Sequence, residues 1–217
     1  MSDALYKLAS WLSPAYPVGA FTYSHGLEHA VAAGDVRCAS SAKAWIADCV
    51  AHGAGRTDAI LLVSAHRAVV AADQTALREV SELALALAPS SERLLETAAQ
   101  GRAFAAVTGA AWSGGGQECP PYQVAVGAAA ASHGIAAETT VQMFLHAFAS
   151  NLISACVRLV PQGQTEGQQV LATLMPTCLS VTAEALEAGI DDIGGCSVRA
   201  DIASMNHETQ EVRLFRS

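Results

Sequence analysis

Forty-five of the 217 residues are alanine, and no window alternates apolar with polar residues between hairpin turns. Alanine is the best helix former and a poor strand former, so the chain is expected to fold as an all-α protein. Hydrophobic residues make up 52% and charged residues 15%, which suits a packed core and argues against disorder. A chain of this length fits one domain. It can bury roughly 70% of the surface its unfolded form exposes, without a metal or disulfide staple.

Apolar periodicity orders the helices. Leu5, Leu8 and Leu12 predict a helix over 4–13, stopped by Pro14 and Pro17. A second begins near Thr22 or Ser24 and ends at Gly34, and Ser40 or Ser41 caps a third running to about His52. Residues 57–72 form the next, Asp73 caps another, and Pro89 ends that one. Ser90–Ala111 follow, with Leu94, Leu95, Phe104 and Val107 expected inward. The stretch WSGGGQECPP, 112–121, reads as a loop, and an Ala-rich helix covers 122–132. Residues 136–159 carry the strongest period, through Val141, Phe144, Leu145, Phe148, Leu152 and Leu159. A loop at 161–168 leads to a helix over 169–188 that contains Pro176. The expectation is a compact body of about eight to ten helices over 1–200, then a partly flexible tail, 201–217.

Charge removes several functions. Twelve basic residues against 20 acidic ones leave a net charge of −8, the opposite of a nucleic-acid footprint. Neither lysine, Lys7 nor Lys43, ends a Gly-rich loop, so there is no P-loop. The six cysteines are never closer than 11 residues, which excludes a C-x-x-C zinc or redox motif and suits a reducing cytosol. The N-terminus lacks the pattern of a secretory signal. The uncharged stretches 119–137 and 139–157 are broken by prolines or by several polar residues, so neither reads as a membrane span. A soluble, cytoplasmic protein is expected.

Few residues advertise chemistry. His25 and His29 stand four apart and on a helix would share a face, as zinc ligands do. The order HGLEH differs from the hydrolase pattern H-E-x-x-H, and packing, capping or partner contact is the readier explanation of the pair. His52, His207 and Cys38 are unpaired candidates for further ligands. Gly194-Gly195-Cys196-Ser197 has no neighbouring base, and Asp191-Asp192 suits a solvated loop. Two segments are over-specified for connectors. One is PAYPVGAFTYSHGLE, 14–28, where prolines, glycines and aromatics crowd together. The other is DIASMNHETQEVRLFRS, 201–217, which sets Met205, Val212, Leu214 and Phe215 among charges. Apolar anchors in a polar terminus suit a segment that orders on a partner, or one that packs back on its own domain.

Both segments resemble the UreF family of urease accessory proteins. Its members carry an N-terminal motif close to P-I-G-G-F-S-Y-S-H-G-L-E. Here Pro17, Val18, Gly19, Ala20, Phe21, Thr22, Tyr23, Ser24, His25, Gly26, Leu27 and Glu28 stand in that order. Members end near S-M-R-H-E-T-Q-…-R-L-F-R-S. This chain has Ser204, Met205, Asn206, His207, Glu208, Thr209 and Gln210, then Arg213, Leu214, Phe215, Arg216 and Ser217. Asn206 and Glu211-Val212 depart from the pattern and make the segment more acidic. The resemblance implies a non-enzymatic helical adaptor, a homodimer, that binds UreD (UreH in some systems) and the GTPase UreG. That complex docks on apo-urease and couples GTP hydrolysis to nickel insertion. The implied contacts with UreD lie among the quoted residues from Ser204 to Arg216. Pro17, Gly19, Phe21, Tyr23, Ser24, His25, Gly26 and Glu28 are implied as partner, dimer or structural positions. No cofactor is expected to be tightly bound, and transient nickel contact is assigned to His25 and His207. The competing reading is a metal-dependent hydrolase that uses His25 and His29.

Overall fold

The computed structural model describes residues 2–112 and 120–217. Most of the loop expected at 112–121 therefore lies outside the described residues. The helices are α1 (Asp3–Trp11), α2 (Leu27–Ala32), α3 (Ala39–Ala51), α4 (Ala54–Val70) and α5 (Gln74–Ala86), then α6 (Ser91–Trp112), α7 (Tyr122–Ser132), α8 (Ala137–Leu159), α9 (Gln164–Glu187) and α10 (Val198–His207). Short 3₁₀ turns occupy Ala20–Thr22 and Ile190–Asp192, and there is no strand among the described residues. The all-α expectation holds.

Helix α4 forms the axis of the body. Ala59, Ile60, Leu61, Leu62 and Val63 are consecutive and all buried. A helix that is apolar all round must be surrounded, and α3, α5, α7, α8 and α9 pack about it. The approach of α7 is the closest. A Cβ on Gly127 would lie 2.3 Å from the Leu62 carbonyl oxygen of α4. Helices α8 and α9 lie side by side. Both are long and apolar enough to cross a membrane by composition, yet α8 directs Val141, Leu145, Ala149 and Leu152 into the core.

Local signals placed many helix ends. Asp73 caps α5, its carboxylate accepting from the amides of Thr75 and Ala76 at 3.0 Å each. The second helix starts later than expected, because His25 and Gly26 take positive φ, 55° and 75°. Such a conformation cannot continue a right-handed helix.

Two findings depart further from the sequence reading. Residues 198–207 form a helix, so the boundary expected at 200 falls inside α10. The first turns of helix α6 are inverted, whereas Phe104, further along it, is buried as expected. Leu94 and Leu95, expected inward, are exposed, while Glu92, Arg93, Glu96, Thr97 and Gln100 are buried. Periodicity reports an apolar stripe, but it cannot anticipate charges that find buried partners from distant elements.

The α4–α7 crossing is directly testable. Gly127→Ala places a methyl against backbone that cannot yield, and should cost about 1–3 kcal/mol. A melting temperature lower by several degrees would show it; an unchanged one would mean the helices separate freely.

Candidate functional site

The two motif segments meet. The 17–28 segment turns at Gly19 (φ 77°), passes through a 3₁₀ turn, and enters α2 through His25 and Gly26. Gly26 is doubly required. Its φ is positive, and a Cβ there would sit 2.5 Å from the Ser204 amide of α10.

Glu28, on the first turn of α2, is only 7% exposed. Its carboxylate accepts from the Leu214 amide at 2.7 Å and the Phe215 amide at 2.9 Å, and faces His207 Nε2 at 3.1 Å. The other ring nitrogen, His207 Nδ1, lies 2.7 Å from Glu92 of α6. Arg213 also donates to Glu92, at 2.8 Å. His207 has no exposed surface and a carboxylate at each nitrogen.

The last residues run beside the first motif. The Arg216 amide donates to the Thr22 carbonyl at 2.7 Å, and the Ser24 amide to the Ser217 carbonyl at 2.6 Å. The Ser24 hydroxyl donates to the same oxygen. Phe215 is buried, with the Arg158 guanidinium 4.2 Å from its ring centre. Arg158 also donates to the Phe21 carbonyl at 2.9 Å, and Asn151 to that of Tyr23 at 3.1 Å. At the other end, Glu208 accepts from the Ser91 amide at the start of α6.

The expected site residues thus divide by exposure. Tyr23, Ser24, Glu28, Ser204, His207 and Phe215 are buried structural members. Phe21, Met205, Thr209, Arg213, Leu214 and Arg216 are exposed, as is Pro17. Gly19, His25, Glu208 and Gln210 are intermediate. The His25–His29 pair does not form a helical face, because His25 precedes α2 in a left-handed conformation. His29 lines a surface groove with Asn206 and Val212, while His25 points to α6. Among the described residues no three His, Cys, Asp or Glu side chains converge as a metal set.

Beneath the motif contact lies a second charged layer. His25 Nε2 is 3.0 Å from Glu96 and 3.2 Å from Arg93, and Arg93 donates to Glu96 at 2.5 Å. Gln100 donates to Glu96 at 2.8 Å, and Asp58 of α4 lies 3.7 Å from Arg93. Burial works against ionising Glu96, but Arg93 and His25 outweigh it and hold the carboxyl down at about 2. Burial, then the charge of Arg93, lowers His25. Burial pushes Asp58 up to about 7, with Arg93 offsetting only part of it. The sequence reading missed Asp58, Glu92, Arg93 and Glu96. Their one signal was the spacing of Glu92, Glu96 and Gln100 along a single helix face.

Two outcomes follow from this geometry. Glu28→Gln leaves backbone amides facing an amide group and should cost about 3–5 kcal/mol in urea unfolding. It should also release the backbone at Arg213 and Arg216 and speed tryptic cleavage there; unchanged cleavage would mean that Glu28 does not hold the segment. Asp58 keeps a proton in the folded chain that the unfolded chain loses above about pH 4. Fewer protons on the unfolded state mean that stability falls as pH rises from about 4 to about 7. Asp58→Asn should remove this fall, so its gain in melting temperature over the parent is larger at pH 8 than at pH 5.

Comparison with known proteins gives the family. The family model described as UreF matches residues 36–175, a span that excludes both terminal motifs. The urease accessory protein UreF of Cereibacter sphaeroides (strain KD131 / KCTC 12085) is 55% identical over 217 residues, covering the whole of both chains. That of Rhodopseudomonas palustris (strain BisB5) is 52% identical over 224 residues, across all of this chain and 92% of its own. A third, from Bradyrhizobium sp. (strain BTAi1 / ATCC BAA-1182), is 50% identical over 221 residues, across 99% and 92%. Matched through its middle by the family model and from end to end by these relatives, the chain belongs to the UreF family of urease accessory proteins.

Proposed function

We propose that this urease accessory protein is an adaptor that carries no catalysis of its own. It acts in the cytoplasm as a homodimer. It binds UreD (UreH) and then the GTPase UreG, and the complex couples GTP hydrolysis to delivery of nickel into apo-urease. Nickel is cargo of the complex, touched in passing by His25, and not a resident cofactor of this chain; His207, enclosed between Glu28 and Glu92, is a structural member instead.

The observation that carries this reading is the C-terminal segment. Its backbone is clamped by Glu28 and the Ser24 amide, yet Met205, Val212 and Leu214 are 48%, 84% and 64% exposed. Val198 and Ile202 are also exposed and share a face of α10 with Met205 by helical spacing. A rigid backbone that presents apolar side chains has already met the ordering cost that a mobile tail would meet on binding. This surface suits UreD. Phe21, at 59% exposure, is the corresponding contact of the N-terminal motif, toward UreG or a second copy.

The test is co-elution by size exclusion with light scattering, using the full chain, UreD, and then UreG with GTP. Val212→Asp combined with Leu214→Asp should abolish the complex at unchanged melting temperature. Phe215→Ala should behave differently. It empties a buried site and should cost about 3–5 kcal/mol of stability. If the double surface variant assembles like the parent, this segment is not the contact. If the folded parent binds neither protein, the adaptor reading fails.

A further inference from the structure

Two cavities meet inside the body at one polar partition. The first, of about 200 Å³, opens between the N-terminal motif and helices α6, α7 and α8, with Leu12, Val18, Phe144 and Phe148 in its wall. The second, of about 170 Å³, lies on the side of α5 and residues 193–195. Asp58, Arg93, Thr97 and Gln123 line both.

Asp58 is the under-matched group in this partition. Its side chain is 14% exposed, and its charged neighbour is Arg93 Nη2 at 3.7 Å. It accepts no side-chain hydrogen bond from the described residues, whereas Arg93 Nη1 is committed to Glu96 at 2.5 Å. Two carboxyl groups therefore share one guanidinium, and burial with Arg93 disfavours charge on His25. When Asp58 ionises, the cluster lacks one positive charge. A buried carboxylate in that condition calls for a cation or a donor. His25 Nδ1, which also has no hydrogen-bond partner among the described residues, borders the same cavity.

We propose that the first cavity binds a primary ammonium group on an apolar stem, with the ammonium on Asp58 and the stem against Phe144 and Phe148. The acidic pair rejects an anion. A neutral head would leave the charge deficit in place. The absence of a third convergent ligand among the described residues argues against a metal ion. The aromatic wall favours a stem next to a cation. The volume exceeds the roughly 150 Å³ at which an apolar cavity takes up benzene. This inference stands apart from the adaptor reading and does not need it.

Binding requires the ionised carboxylate. Arg93 and Glu96 of α6, His25 of the motif loop, Tyr122 of α7, His146 of α8 and Asp201 of α10 are the other titratable groups lining the two cavities. Burial places Asp58 near 7. Its ionised fraction then rises about tenfold from pH 6 to pH 8, and amine affinity should rise by about the same factor.

Calorimetric titration of the full chain with phenethylamine, and separately with 2-phenylethanol, tests this. The amine should bind, more tightly at pH 8, and the alcohol should bind at least tenfold more weakly. Asp58→Asn should abolish the preference while helicity is kept. Ala147→Leu, which narrows the cavity and leaves Asp58 intact, should weaken the amine too, and it decides the matter if Asp58→Asn fails to fold. A blocked pentapeptide with one lysine separates the sources. Binding of both compounds points to a partner's lysine side chain, and binding of phenethylamine alone to a free small amine. Equal binding of amine and alcohol, binding unaffected by both variants, or no binding of amine or peptide overturns the proposal.

Discussion

A carboxylate as buried as that of Glu28 must be met by donors, and its donors come from the far end of the chain. The Leu214 and Phe215 amides and the His207 ring all converge on it. Each contact is charge-assisted, and so stronger than its neutral counterpart. Through Glu28 the start of α2 fixes the path of the final residues. Through His207 the same carboxylate is tied to Glu92, and so to α6. Removing any member leaves a buried charge unmatched, which costs more than the net value of the contact.

This dependence explains why the first turns of α6 are inverted. A helix with Glu92, Arg93, Glu96 and Gln100 inside is unstable unless the loop before α2, α4, α10 and the last residues bring their partners. Apart from α4, those elements have little apolar area to hold them. Helix α2 is six residues long, and α10 has three buried residues. Polar matching therefore assembles one end of a body whose other parts are held by the apolar packing around α4. Polar matching is directional, so it sets a single position for the terminal segment where apolar contact alone would tolerate several.

For a urease accessory protein the consequence concerns presentation. The clamp lies under the surface, and the apolar side chains lie on it. Met205, Val212 and Leu214 are displayed by backbone and helix that Glu28, Glu92 and Gly26 hold in place. The motif residues thus have two roles that sequence alone does not separate. His207 and Phe215 make the platform, and Leu214 stands on it.

Much of the fold was legible in the residues themselves. Alanine content, the 3.6-residue period of 136–159, the Asp73 cap and the stop at Pro89 are local features, and they act through local backbone energetics. They determined an all-α chain and many helix ends. The two motif segments were also visible, because prolines, glycines and anchored aromatics are unusual in connectors. What the sequence could not determine was which charges go inside. Leu94 looks like core and Glu96 like surface until His25, Asp58 and Ser217 are brought to the same place. Burying a charge is decided by partners up to 187 positions away, as for Glu28 and Phe215, and only the tertiary structure sets those distances.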